Sequence, residues 1–251
     1  YTEETVAVYP ADKNNLPYDV EIRTLRFDEP EHDPPAPLPP AENFRIMDDD
    51  LGKGGAKEKF WRNIKAIATL KQIESENRNA TPEEQHILSQ YVGWGGLSDY
   101  FKEDNPHYQE LKELLTEDEY ASARESTLTA FYTPPVVIKA VYSALENMHF
   151  RTGNVLEPSC GIGNFMGLVP ESMASAKFYG VELDSISGRI AQQLYQKANI
   201  AIEGFEQTKL PDDHFDVVIG NVPFGEIRVN DSRYNAHKFL VHDYFFGATR
   251  S

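Results

Sequence analysis

The sequence predicts an α/β fold: a doubly wound parallel sheet preceded by a helical amino-terminal extension. Three observations predict it. Short apolar runs beginning at Val155 and spanning residues 178–181, 200–203 and 215–219 alternate with helical stretches at 165–168 and 187–197. That alternation makes parallel strands with helices on both faces. A tight glycine turn, Gly161-Ile162-Gly163, follows the first run directly. Polar or acidic residues, Glu157, Glu182 and Asn221, stand at or just past the ends of three runs, where open α/β sheets gather their ligands.

Taken in order, residues 5–8 and 20–25 pair as a small β-hairpin within segment 1–27. Residues 28–43 read as an acidic, proline-rich linker, because six prolines among acids between 28 and 40 cannot pack. Residues 44–125 form the helical extension. Phe60, Ile64, Ile67 and Ile73 fall at nearly helical spacing within 57–76. Thr81-Pro82-Glu83-Glu84 is a capping box with proline at the first helical position, opening a helix to about Tyr91. Gly93-Trp94-Gly95-Gly96 then reads as a glycine-capped helix end with a buried tryptophan. Thr116-Glu117-Asp118-Glu119 repeats the start signal before Arg124. Gly52-Lys53-Gly54-Gly55 lacks the spacing and the Ser/Thr of a phosphate loop and reads as a flexible turn. Residues 126–251 hold the sheet, entered by a helix over 134–147 and left by one over 238–249. The chain begins at Tyr1 and stops within that last predicted helix, so it reads as part of a longer polypeptide, with its carboxyl-terminal strands missing.

The chain has 251 residues, 40% of them hydrophobic, enough for a substantial core. No signal peptide or membrane span is visible, and the lone Cys160 excludes an internal disulfide and fits a reducing cytoplasm. Seven histidines show no metal-ligand spacing. Net charge is −16, the wrong sign for phosphate neutralisation. More than half of that excess lies in residues 1–50, which hold 13 acids against 4 bases. With no basic stripe visible, binding of DNA by this chain alone is expected to be weak.

The chemistry concentrates after the last run, in Asn221-Val222-Pro223-Phe224. A strand ending in Asn-x-Pro-aromatic makes a polar cup with an aromatic wall, suited to a planar ring bearing an exocyclic amine. Two acceptors, the Asn221 side-chain oxygen and the Val222 carbonyl, would draw the delocalised lone pair back onto such a nitrogen. Phe224 would stack on the ring. The glycine turn lets backbone approach a ligand closely, but it lacks the third glycine of the dinucleotide fingerprint. Acidic Glu157 would repel a phosphate and instead suits an amino group, as at the methionine end of S-adenosylmethionine. Glu182 is placed for ribose hydroxyls.

Four segments carry a resemblance: Thr129-Ala130-Phe131-Tyr132-Thr133-Pro134-Pro135, Leu156 through Phe165, Val181-Glu182-Leu183-Asp184, and Asp216 through Phe224. Together they resemble the S-adenosylmethionine-dependent N6-adenine DNA methyltransferases, of the type I and Taq-like kind with an amino-terminal cofactor motif. Gln90-Tyr91-Val92-Gly93-Trp94-Gly95-Gly96-Leu97 and Ser122 through Thr127 extend the likeness to large methylase–helicase proteins of conjugative elements and phages. The resemblance implies a Rossmann-like class I methyltransferase core, S-adenosylmethionine as cofactor, DNA as partner, and a helicase elsewhere in the polypeptide. It implies that Tyr132 and Thr133 close over the methionine end, that Glu157, Pro158, Gly161 and Gly163 line it, that Glu182 meets the ribose and that Phe205 stacks on the cofactor's adenine. Asn221, Val222, Pro223 and Phe224 become the catalytic cup, with Val222 where the family usually has proline. Glutamine-N5 methyltransferases of release factors share such a cup, but the Tyr-Thr-Pro and Gly-Trp-Gly-Gly segments disfavour them. A non-catalytic module that positions DNA or a partner for a helicase is the rival from another class.

Overall fold

The computed structural model describes residues 40–47, 51–127, 133–211 and 213–249; the expected hairpin in 1–27 and most of the 28–43 linker lie outside them. Among the described residues, five α-helices precede the sheet: α1 (Ala56–Ser75), α2 (Pro82–Leu88), α3 (Tyr108–Leu114), α4 (Glu117–Ser126) and α5 (Pro135–Asn147). Both predicted capping boxes form. The Thr81 and Thr116 hydroxyls accept from the Glu84 and Glu119 N–H groups, and each glutamate reaches back to its threonine N–H, satisfying donors a helix start leaves open.

Helix α2 ends at Leu88, short of the expected Tyr91, so the Gly93–Gly96 glycines do not cap it. Gly93 (φ 66°) and Gly96 (φ 73°) instead bend a loop whose shape is held from α1. The buried Asn63 side chain donates to the Gly93 carbonyl (2.6 Å) and accepts from the Val92 N–H (2.9 Å). Trp94 is buried as expected, edge-on to Phe60, Tyr91 and Phe101.

Strands β1 (Asn154–Glu157), β2 (Lys177–Glu182), β3 (Asn199–Ile202) and β4 (Val217–Val218) form one parallel sheet in the order β3-β2-β1-β4. Between them run α6 (Asn164–Gly167) and α7 (Ser185–Leu194). The chain winds outward from β1 to β3 and then returns to the other side of β1, which puts the switch in strand order between β1 and β4. A crevice opens at such a point, at the carboxyl ends of the strands. Strand β4 is shorter than the predicted 215–219, though the Asp216 and Ile219 N–H groups still donate to the carbonyls of Asn154 and Leu156, at 2.9 Å each. Gly220, at φ 156°, follows Ile219. The last helix, α8 (Val241–Ala248), starts later than predicted, because Lys238 is left-handed (φ 53°) and Leu240 extended.

The helical extension and the sheet share one hydrophobic cluster that runs from Phe60 through Leu111 and Ile138 to Ile219, so the boundary expected near 125 is not a break in the core. Polar contacts fasten them further. Buried Glu119 on α4 takes Lys71 of α1 at 2.8 Å and Arg189 of α7, whose other arm reaches Glu74 at 2.9 Å. Gln85 on α2 donates to the carbonyls of Gln193 and Leu194 at the end of α7. The Phe44 and Ile46 N–H groups donate to the carbonyls of Leu194 and Gly167, so the first residues of the extension lie along the core. No helix among the described residues is long and apolar enough to cross a membrane.

Candidate active site

The floor of the crevice is the turn after β1. Its backbone is anchored to β2: the Cys160 N–H donates to the Val181 carbonyl at 3.0 Å, and the Gly161 N–H to Glu182 Oε2 at 2.7 Å. Gly161 (φ 56°) and Gly163 (φ 84°) are both left-handed, a region side chains disfavour. Gly163 also has a packing reason to be glycine, since a Cβ there would lie 2.4 Å from the Tyr195 ring. The turn is therefore clamped to β2 through Cys160 and Gly161 and packed on Tyr195 at Gly163.

Glu157 closes β1 and is only 3% exposed, and its Oε2 has no hydrogen-bond partner among the described residues. Burial, reinforced by the nearby Glu182 carboxylate, pushes its pKa well above the ordinary carboxylate range. An orphaned acceptor in so dry a place is costly and calls for a donor that the described residues do not provide. Asn164, at the start of α6 and equally buried, leaves its Oδ1 unpartnered too. Pro158 follows Glu157, and both touch the position where a side chain at Gly220 would be, 3.6 and 3.7 Å away. The end of β4 thus abuts the end of β1.

Glu182 is half-buried, and its second oxygen accepts from the Asp184 N–H at 2.8 Å. Burial lifts its pKa to about 6, partly offset by those backbone donors. Asp184 caps α7 by accepting from the Ser187 N–H (2.8 Å) and receives the Ser122 hydroxyl of α4 (3.0 Å). The helical extension thereby helps to set the rim of the crevice.

The Asn221-Val222-Pro223-Phe224 segment follows Gly220 directly. Asn221 is exposed, with no hydrogen bond to the described residues, and Val222 is half-buried against the cluster of Leu156, Val181 and Phe205. Phe224 is 70% exposed, and its ring stacks on His242 of α8 (centroids 5.4 Å, 22° apart). That stack occupies one face of the ring.

Two expected cofactor residues stand differently. Phe205 is 6% exposed and lies in the core beneath α8, tilted on Phe245 (5.3 Å) and edge-on to Tyr244 (6.4 Å). The ring expected to stack on the cofactor's adenine thus packs against residues of α8. Tyr132 lies outside the described residues, while Thr133 sits half-buried just before α5. Sequence reasoning missed Asn164, although it lies within the quoted glycine-turn motif, and His242, whose neighbour Phe224 is eighteen positions away.

The chain is also similar in sequence to known proteins. The N-6 DNA methylase family model matches residues 112–245, more than half of the chain. Over 165 residues, 65% of the chain, it is 30% identical to the "Defense against restriction protein B" of Escherichia phage P1, of which that stretch is only 6%. It is 29% identical over 102 residues to the modification methylase CviBIII of Paramecium bursaria Chlorella virus NC1A, covering 40% of the chain and 27% of the relative. It is 33% identical over 94 residues to the type II methyltransferase M.CvrRI of Paramecium bursaria Chlorella virus XZ-6E, covering 38% and 24%. The chain thus spans about a quarter or less of the curated relatives it matches. With a parallel sheet in the order β3-β2-β1-β4 and the glycine turn and Asn-Val-Pro-Phe at adjoining strand ends, the chain belongs to the N-6 DNA methylase family.

Proposed function

We propose that this chain is the cofactor-binding and catalytic portion of an S-adenosylmethionine-dependent DNA adenine-N6 methyltransferase. The observation that carries the reading is the pairing of two unlike features across the β1/β4 switch. A buried carboxyl with an orphaned oxygen, Glu157, lies on one side, and an open polar loop with an exposed aromatic lies on the other. The residues fit the cofactor: an α-amino group supplies the donor that Glu157 lacks among the described residues, Gly161 in the left-handed turn presents backbone without a side chain, and Glu182 retains lone pairs for ribose hydroxyls. Pro158 and Thr133 complete the lining, and Tyr132 belongs with them by its place in the sequence. When bound, the cofactor supplies an electrophilic methyl group on a sulfonium.

The remaining work falls to the chain. The Asn221 side-chain oxygen and the Val222 carbonyl accept the two amine protons of a flipped adenine and concentrate its lone pair on N6 as positive charge develops there. Pro223 restricts the loop that presents that carbonyl. Phe224, backed by His242 on one face, offers its other face to the base. Glu157 and Glu182 hold the donor side in place, and the proton that N6 gives up after methylation passes to water at the exposed loop.

The family match supports a DNA substrate, and the small share of the phage relative that the chain covers supports action within a longer polypeptide. The likeness of the 90–97 segment to methylase–helicase proteins favours a helicase in it. Cys160, a buried free thiol, suits the reducing cytoplasm of a host cell. The test is transfer of label from S-adenosylmethionine to adenine-containing DNA by a polypeptide that includes residues 1–251. N6-methyladenine in the DNA is expected; label in a release-factor glutamine, with none in DNA, would overturn the reading.

A further inference from the structure

Between Phe224 and α8 the chain makes a loop whose two ends are tied together. The Phe224–His242 stack closes one tie, and the Val241 N–H donates to the Ile227 carbonyl at 2.9 Å to close the other. The loop is braced from inside by Asp231, which is 5% exposed. Asp231 accepts from the Arg233 backbone (2.9 Å), the Arg233 guanidinium (2.7 Å) and the Tyr244 hydroxyl (2.8 Å). The Arg233 hydrogen bonds are the largest cause holding its pKa down, to about 2. Compact loops of this kind are frequently functional.

The brace presents a cavity of about 200 Å³ on the loop's outer side. Arg228 and Lys238, ten positions apart in sequence, meet at it, together with the rings of Tyr234 and Phe239 and the amides of Asn230 and Asn235. None of its lining residues is acidic, in a chain with 40 acids and 24 bases. Arg228 and Lys238 are exposed and make no ion pair with the described residues. Lys238 is held in the left-handed region at φ 53°, a conformation costly for lysine and one that clusters at functional sites. Phe239 packs down where a side chain at Gly247 of α8 would be, 2.8 Å away, so the ring position is built in. The volume is below that of a drug-sized pocket and suits a single ring system.

Resting on the proposed methyltransferase reading, we propose that this cavity receives a nucleotide of the target strand next to the flipped adenine. Arg228 and Lys238 hold its phosphate, and Tyr234 and Phe239 give its base an apolar surface. Arg228 is four residues from Phe224, so the two Cα atoms lie within about 14 Å, the reach of one or two nucleotides of extended strand. The positive groups missing as a stripe in the sequence are thus gathered locally, beside the catalytic cup, by folding.

The test uses the 251-residue chain and a fluorescent single-stranded oligonucleotide containing adenine, titrated by anisotropy at several salt concentrations. The double variant Arg228→Gln/Lys238→Gln is expected to bind about tenfold more weakly, with the salt slope reduced by about 0.7, the value for one neutralised phosphate on a single strand. Lys177→Gln, at the opposite end of β2, serves as the control and should match the parent. S-adenosylmethionine affinity should be the same in all three proteins, which separates this proposal from the cofactor assignment: loss there would show misfolding or a wrong cofactor site. Unchanged strand affinity and slope in the double variant would overturn the proposal, as would absence of strand binding by the parent. Equal affinity of the parent for free deoxyadenosine monophosphate and for the strand would also overturn it, marking a free-nucleotide pocket instead.

Discussion

The two sides of the crevice are built in opposite ways. On the side proposed for the cofactor, the turn after β1 is pinned through Cys160 and Gly161 to β2, and Tyr195 packs where a Gly163 side chain would be. On the acceptor side, Asn221 and Phe224 stand in solvent, with His242 as the ring's backing. A small, invariant ligand can be met by a rigid, desolvated pocket. A base that swings out of a strand needs an open approach and groups free to close on it. The difference teaches that substitutions on the first side should be read in stability and cofactor affinity, and those on the second in rate alone.

The sharpest way to break that division is Asn221→Ala. Its side chain is exposed and makes no hydrogen bond to the described residues, so melting temperature and S-adenosylmethionine affinity should stay at parental values. The methylation rate in the longer polypeptide should nevertheless fall about 100- to 1,000-fold, the worth of one preorganised polar contact, about 2.7–4 kcal/mol. A matching loss of cofactor affinity would erase the distinction between the sides. Gly163→Ala probes the other side. A methyl 2.4 Å from the Tyr195 ring, on a backbone at φ 84°, should cost about 2–4 kcal/mol of stability, measurable by urea unfolding. An unaffected midpoint would mean that the turn is looser than its packing indicates.

The structure also bears on what could be read from the residues themselves. The glycine turn and the succession of parallel strands are legible because apolar runs, glycines and acids follow one another locally, and both capping boxes follow from four-residue signals. Less legible was whatever depends on distant partners. Glu119 serves both as a capping residue and as the hub for Lys71 and Arg189, which are 48 and 70 positions away. Phe205 looked available for stacking until α8, forty residues on, was folded over it. The Gly93–Gly96 loop resembled a helix end because Asn63, which shapes it, sits thirty residues upstream. In the acceptor loop, Arg228 and Lys238 could not be paired until the fold brought them to one cavity.

A smaller effect should appear in the pH dependence of the ligand-free chain. The Glu182 pKa is raised from 4.5 to about 6 by burial, so the folded state holds its proton more tightly than the unfolded one. The resulting stability is fully present below about 4.5 and is lost as pH rises through 6. Unfolding midpoints should therefore decline across that window, and Glu182→Gln should flatten the decline whatever its absolute level. A profile of unchanged slope in the variant would remove Glu182 from the account.

The most direct test of the central claim is calorimetric titration of S-adenosylmethionine into the 251-residue chain at pH 7, in two buffers of different ionisation enthalpy. Glu157 carries a raised pKa because it is buried without a donor, next to Glu182, and a cationic amino group placed against it must lower that pKa again. Binding should release a proton wherever Glu157 is protonated in the free chain, seen as an observed enthalpy that changes with the buffer. In Glu157→Gln the buffer dependence should be lost and affinity should fall by about 1.5–3 kcal/mol, the range for a hydrogen bond to a charged group. Binding of equal strength and identical heat in parent and variant would contradict the claim that Glu157 and the glycine turn form the cofactor site.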